Sequence, residues 1–372
     1  MALKLKKMNM INDERELLSK PGDTILETIE YLKMSQAELS ERMGKKPSKI
    51  NDIISGKEPI TVNTALQLEM VLGIDAQFWL NREALYRERL ARIEQEEFLE
   101  QCKEWLQQQP LKELKSLGYI KAEKAGPEMV NECLQFYGVV SPNQWESIYI
   151  ADYAATNFRK SGAHATALGS MAAWLRIGEL ELQKIKIPEF SKDNFKKSLE
   201  VIKGIAKDHP EDFAIKLREI CFEVGVALVY SMSLPKAPIS GAARWIGGQP
   251  LIQMTDRYKT NDHFWFTFFH EAAHILLHGK KDVFIEEFQG VENDQVKENE
   301  ANEYSGNMLL PKSATEDLPE SITELDIRRL AKQYNTHPGI VVGRLQKLQL
   351  VPRTFGTKFK MLVNLDNVMN VK

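Results

Sequence analysis

The sequence predicts a mainly α-helical protein with a small α+β domain toward its C-terminal end. Three observations carry this. Residues 21–93 fall into short helical stretches separated by capping residues. Residues 94–220 keep a helical period between frequent proline and glycine breaks. A β-branched texture begins only at Val224. The chain has 372 residues, enough for two or three domains of ordinary size. We therefore expect an all-α domain over 1–93, a helical middle region over 94–214, an α+β domain over 215–350 and a tail over 351–372.

The elements follow in order. Ile25, Leu26, Ile29 and Leu32 recur at helical spacing. Ser35 with Glu38 three residues later reads as a capping box, opening a helix over 36–43 that ends at Gly44. Pro47 suits the first turn of a second helix, 47–54, closed by Ser55–Gly56. Another helix covers 63–71 and stops at Gly73. In the middle region no chemical motif stands out, and Trp105, Trp145 and Trp174 read as core. The run 224–231 reads as a strand, and 239–255 as two strands joined by Gly247–Gly248, a hairpin signal. A strongly apolar helix follows over 263–278, then an acidic loop, a helix over 295–309 stopped by Pro311, and a helical segment over 323–350. The tail run KFKMLVNLDNVMNV reads as a strand.

Composition excludes several function classes. The net charge of −3 rules out a polybasic binder of nucleic acid or membranes, while leaving room for a local basic patch. No window approaches the ~18 apolar residues of a membrane span, and the N-terminal stretch lacks the apolar core of a secretory signal. The three cysteines (Cys102, Cys133 and Cys221) are far apart and odd in number, which argues against a disulfide framework. A cytoplasmic protein is expected.

Residues 34–81 carry the first functional pattern. A helix, a turn at Gly44 and a second helix have the order of a helix-turn-helix, whose second helix lies in the DNA major groove. Arg42, Lys45, Lys46, Lys49 and Lys57 stand against Asp52 alone in 42–57, although 1–90 is balanced in charge. Such a focused patch suits phosphate contacts. Ser48, Lys49 and Asn51 are the candidates for base edges, and Lys46 and Lys57 for phosphates. The stretches SQAELSERMG, INDIISGK and FWLN make the segment resemble an XRE-type helix-turn-helix, most closely that of HigA-type antitoxins. Lys45 and Lys46 depart from the apolar turn residue and Ser/Thr cap usual there. The resemblance implies an operator in double-stranded DNA and a homodimer reading paired half-sites.

The second pattern is His270-Glu271-Ala272-Ala273-His274, an H-E-x-x-H. Residues four apart share a helix face, so both imidazoles can ligate one ion. Catalytic zinc takes three protein ligands and leaves a position for water, and Glu271 stands where a general base for that water is needed. Phe264, Trp265, Phe268, Phe269 and Ile275 make the helix apolar nearly all round, so its polar residues need partners. His278 sits at the helix end, where a capping role is usual. The third ligand is sought on the next helix: Glu300, which shares a face with Val296, Tyr304 and Met308, is preferred, with Glu298 in reserve. The strands before the helix offer an edge for an extended peptide, at Arg244–Ile246 or Leu251–Met254. Tyr258, His263, Tyr304 and His337 are the candidates for stabilising an oxyanion.

FWFTFFHEAAHILLHG followed by ENEANEYSGNMLLP resembles the ImmA/IrrE metallopeptidases over about 215–345. The resemblance implies a gluzincin-like zinc site with His270, His274 and Glu300 as ligands and Glu271 as the catalytic residue. Tyr304-Ser305-Gly306 and Leu310 depart from the family's usual pattern without removing a ligand. The expected function is a DNA-binding regulator with a fused zinc metallopeptidase that cleaves a regulatory protein: itself, a repressor or an antitoxin. The alternative is an antitoxin-type repressor whose metal domain only senses or is structural.

Overall fold

A computed structural model describes residues 13–150, 162–237, 239–257, 259–279, 284–285, 295–316, 318–319, 321–365 and 367–369. Local sequence signals act as expected at the N-terminal end. Helix α1 (Pro21–Tyr31) is followed by α2 (Gln36–Arg42), α3 (Pro47–Ile54), α4 (Val62–Leu72) and α5 (Ala76–Gln101). Ser35 caps α2 by accepting from the Glu38 N–H at 3.1 Å. The other half of the expected capping box is not made, because the Glu38 carboxylate turns forward to Arg42 at 2.7 Å. Gly44, Gly56 and Gly73 all take positive φ, the conformation that ends a helix without a Cβ clash. Ile25, Ile29, Leu39, Ile50, Ile53, Leu68 and Trp79 form one buried cluster. Gly22 lies against the Ile54 carbonyl so closely that a side chain there would collide with it.

The chain divides into two compact units: 1–104 with 124–130, and 105–123 with 131–372. The boundary expected at residue 93 falls inside α5, which runs unbroken to Gln101. Nor is the expected middle region a body of its own, since most of it belongs to the second unit. There α6 (Leu111–Ser116), α7 (Pro127–Tyr137) and α8 (Pro142–Tyr149) precede α9 (Gly162–Gln183), α10 (Lys192–Asp208) and α11 (Phe213–Glu223).

Next come β1 (Ala227–Ser231), β2 (Gly241–Ile246), β3 (Gln249–Thr255), α12 (Asn261–Leu277), β4 (Phe284–Ile285), α13 (Gln295–Leu309), α14 (Glu324–Gln333) and α15 (Pro338–Lys347). The sheet order is β1-β3-β2-β4, with β1 parallel to β3 and the other pairs antiparallel. Gly247 (φ 58°) and Gly248 (φ 88°) join β2 to β3 in a two-residue loop, for which positive φ at both positions is the favoured geometry. One sheet face, with Leu228, Tyr230, Ala243, Ile252 and Met254, packs on α12 through Phe264, Trp265 and Phe268.

The opposite face explains why the middle helices join this unit. Arg244 and Gln253 are polar residues in otherwise apolar strands, and both are buried. Arg244 donates to the Leu175 carbonyl (2.8 Å) and pairs with Glu179 (3.1 Å); Gln253 donates to the Trp174 carbonyl (2.7 Å). All three partners lie on α9. Gly178 of α9 leaves the space that the Gln253 side chain fills. The segment expected as one helix over 323–350 is two, broken by a turn at Tyr334–His337 ahead of Pro338. Among its described residues the tail forms no strand beyond an isolated bridge between Thr260 and Leu362, yet Val363, Leu365 and Val368 enter the core. Among the described residues, no helix is long and apolar enough to cross a membrane.

Candidate metal centre and DNA-binding face

Helix α12 is buried along most of its length, and His270, Glu271 and His274 are 1%, 0% and 1% exposed. One helical turn separates the two imidazoles, and their Nε2 atoms converge to 3.0 Å. Glu298 of α13 completes the cluster, with Oε2 3.2 Å from His270 Nε2 and Oε1 3.5 Å from His274 Nε2. Ligand arms of about 2.0–2.1 Å at tetrahedral angles would place the donor atoms roughly 3.3 Å apart. The three observed separations bracket that value, so the donor set fits a zinc-sized ion. Burial, reinforced by the neighbouring His270, His278 and Lys297, pushes the His274 pKa down to about 2. The imidazole is therefore neutral at ordinary pH, the form that ligates a metal.

Glu300, the expected third ligand, is elsewhere. Its side chain is 55% exposed and its Oε2 is 3.0 Å from His278 Nε2. The reason is the phase of α13. Its buried residues are Ala301, Ser305, Gly306 and Leu309, and the first three are small enough to let α13 approach α12, where the Ser305 hydroxyl donates to the Phe266 carbonyl at 2.9 Å. Glu298 shares that face. Val296, which suggested an inward face for Glu300, is 65% exposed.

Glu300 still bears on the site. A carboxylate at His278 Nε2 fixes the proton there and leaves Nδ1 as an acceptor. His278 Nδ1 lies 2.9 Å from His274 Nδ1, which then donates. This relay leaves the His274 Nε2 lone pair directed at the cluster, the arrangement by which outer partners orient a metal-ligating histidine.

Glu271 lies against β2. A Cβ on Gly241 would lie 3.0 Å from both Glu271 Cγ and Oε1, and 2.7 Å from Thr267 Cγ2. Only glycine leaves the glutamate its space. The sequence signal was available, as a glycine opening the strand before the H-E-x-x-H helix, but nothing in the spacing pairs the two positions. The structure also bears on one of the two expected strand edges. Leu251–Met254 lies on β3, an interior strand, while among the described residues β2 pairs with β4 at Ala242 and Ala243. The oxyanion candidates are scattered. His337 caps α15 by accepting from the Gly339 N–H at 3.0 Å, His263 is 4.0 Å from Asp262, and Tyr304 packs on the core. Tyr258 lies outside the described residues.

In the first unit, α2 and α3 form the two helices of a helix-turn-helix. The Ser40 hydroxyl donates to the Lys45 carbonyl at 2.5 Å and holds the turn. Lys46 stands at the N-cap of α3 without a side-chain capping bond. It is exposed, as are Ser48, Lys49, Asn51 and Lys57, while Ile50, Ile53 and Ile54 face the core. Two cations of the basic patch already have acidic partners, since Lys49 pairs with Glu58 and Arg42 with Glu38.

Comparisons with known proteins agree with this geometry. Residues 30–79 match the helix-turn-helix family model. The chain is 39% identical over 74 residues to "Virulence-associated protein I" of Dichelobacter nodosus, spanning 19% of this chain and 67% of that protein. The chain belongs to the helix-turn-helix family. This helix-turn-helix regulator is also 35% identical over 74 residues to the "Uncharacterized HTH-type transcriptional regulator YddM" of Escherichia coli (strain K12), covering 20% of this chain and 73% of that one. Residues 225–346 of the regulator match the model of the IrrE N-terminal-like domain, a peptidase family. The protein thus joins an XRE-type helix-turn-helix to an IrrE-like domain, and the His270–His274–Glu298 cluster lies within the latter.

Proposed function

We propose that this regulator binds operator DNA through α3 and hydrolyses a peptide bond in a regulatory protein through a zinc centre in its IrrE-like domain. The observation that carries the reading is Glu271, fully buried between two metal-competent histidines and given room by Gly241. A purely structural zinc site closes with four ligands and has no use for an adjacent acid. Among the described residues the cluster offers three ligands: His270, His274 and Glu298. When bound there, zinc supplies Lewis acidity, which polarises a carbonyl and acidifies water. Glu271 takes the proton from the attacking water on its carboxylate and passes it to the leaving amine. The surrounding apolar side chains keep bulk water from the carboxylate, and the His278–Glu300 relay holds His274 in the ligating tautomer.

At the other end, Lys46 and Lys57 contact phosphates, and Ser48, Lys49 and Asn51 read base edges. A homodimer acting on paired half-sites in the cytoplasm fits a repressor of this type. The substrate is the chain itself, a partner repressor or an antitoxin. The test is a peptide pool digested by zinc-loaded protein and read by mass spectrometry. Wild type is expected to produce new termini, and Glu271→Gln none while retaining its metal. No cleavage by the zinc-loaded wild type of the pool, of itself or of a co-encoded antitoxin would reduce the metal domain to a sensing or structural role.

A further inference from the structure

A cavity of about 550 Å³ lies beside the metal cluster. It is bounded by the N-terminal half of α12, the C-terminal half of α13, and α15 with the chain after it. Phe266 and Thr267 line it one turn before His270 and Glu271, but none of the three clustered ligands does. Its apolar wall is Phe266, Leu309, Leu310 and Ile340, and its polar rim carries Arg344, Lys347, Arg353 and Lys360. Of these cations only Lys360 is neutralised, by Asp262 at 2.6 Å. Arg344, Lys347 and Arg353 have no carboxylate partner among the described residues.

Arg344 is the informative one. Its Nε is sealed from solvent and has no hydrogen-bond partner among the described residues. Leaving a charged donor desolvated and unpaired is costly. Its position is also enforced, because a Cβ on Gly306 would come within 2.7 Å of Nη1 and 2.9 Å of Cζ. Glycine at 306 therefore admits the guanidinium to the cavity wall.

We propose that this cavity is a binding site for a small organic phosphate, distinct from the metal centre. A phosphate monoester carries about −1.5 to −2 charges at neutral pH and accepts from a guanidinium fork. That matches three unpaired cations better than a single carboxylate does. The volume lies in the range of small-molecule sites, roughly 300–1,000 Å³, and exceeds what an inorganic phosphate needs. The apolar wall accounts for the remainder, as the seat of an organic body.

The test is calorimetric titration of the full-length protein with phenyl phosphate, inorganic phosphate and citrate. Phenyl phosphate is expected to bind most tightly, and at least about tenfold more weakly to Arg344→Gln. The exposed double variant Lys347→Gln/Arg353→Gln should show the same direction of change without touching the core. Binding in Glu298→Ala, which disables the metal cluster, should be unchanged. Absence of binding up to about 10 mM of each probe would overturn the proposal. So would binding lost in Glu298→Ala but kept in Arg344→Gln, which would mean a phosphate at the metal. Citrate binding as tightly as phenyl phosphate would also overturn it, as would displacement of phenyl phosphate by a short DNA duplex.

Discussion

Replacing Gly241 by alanine probes the proposed role of Glu271 without touching the His270–His274–Glu298 cluster. The added methyl would sit 2.7 Å from Thr267 Cγ2 and 3.0 Å from Glu271 Cγ and Oε1. Ordinary contacts between such atoms are about 3.5–4.0 Å, so something must move by roughly 0.5–1 Å. Helix α12 is buried on most sides and β2 is held by β3 along its length, so neither yields freely. Overpacking of this kind costs about 1–3 kcal/mol. For a body of this size each kcal/mol lowers Tm by roughly 2–4 °C. A misplacement of about 1 Å in a catalytic group costs on the order of a hundredfold in rate. Three assays on one preparation test this: zinc per chain, Tm, and the rate of peptide cleavage. The expected result is full zinc occupancy, a Tm lowered by several degrees, and cleavage reduced by about two orders of magnitude. Wild-type Tm together with wild-type cleavage would refute the placement of Glu271 against β2.

Three other outcomes are expected. In a zinc titration against a competing chelator, Glu298→Ala should lose stoichiometric binding. Glu300→Ala, which acts only through His278, should weaken it by about 10–100-fold; the reverse order would restore Glu300 as the ligand. Lys49→Ala should weaken operator binding and reduce the magnitude of the log–log salt slope by about 0.9 if Lys49 meets a phosphate; a base contact would leave the slope unchanged. An unchanged affinity and slope would move the contact surface off α3. His209 is buried, accepts from Trp265 Nε1 at 3.0 Å, and has its pKa pushed down to about 4 by burial and by His337. The unfolded chain binds this proton more readily, so the stabilisation is complete above about pH 6.5 and is lost as pH falls toward 4. Denaturant midpoints across that window should drop less in His209→Gln than in wild type, and equal drops would assign the effect to other groups.

Much of this is legible in the sequence. The helix-turn-helix was set by local chemistry, namely Ser35, Gly44, Pro47 and Gly56, whose effects reach only a few residues. The hairpin was likewise local to Gly247–Gly248, and H-E-x-x-H needs only helical spacing. The place of Glu298 in the cluster was not legible, because the inward face of α13 near it is made of Ala301, Ser305 and Gly306. Close helix packing favours small residues, so a search for apolar bulk selected the flank bearing Tyr304 and Met308. The middle region failed as a separate domain for a similar reason. Arg244 and Gln253 showed that the sheet had a polar patch to satisfy, but their partners on α9 lie more than sixty residues away in sequence. Gly241 and Gly306 have the same character, since each is explained only by a side chain that arrives from another element.

The central claim is a three-ligand metal centre beside a buried acid. Diffraction data collected on either side of the zinc absorption edge, from crystals of protein purified without added metal, test it most directly. We predict one anomalous peak per chain, about 2.0–2.2 Å from His270 Nε2, His274 Nε2 and a Glu298 carboxylate oxygen. A peak held by His278 and Glu300, or none after zinc is supplied, would contradict the account.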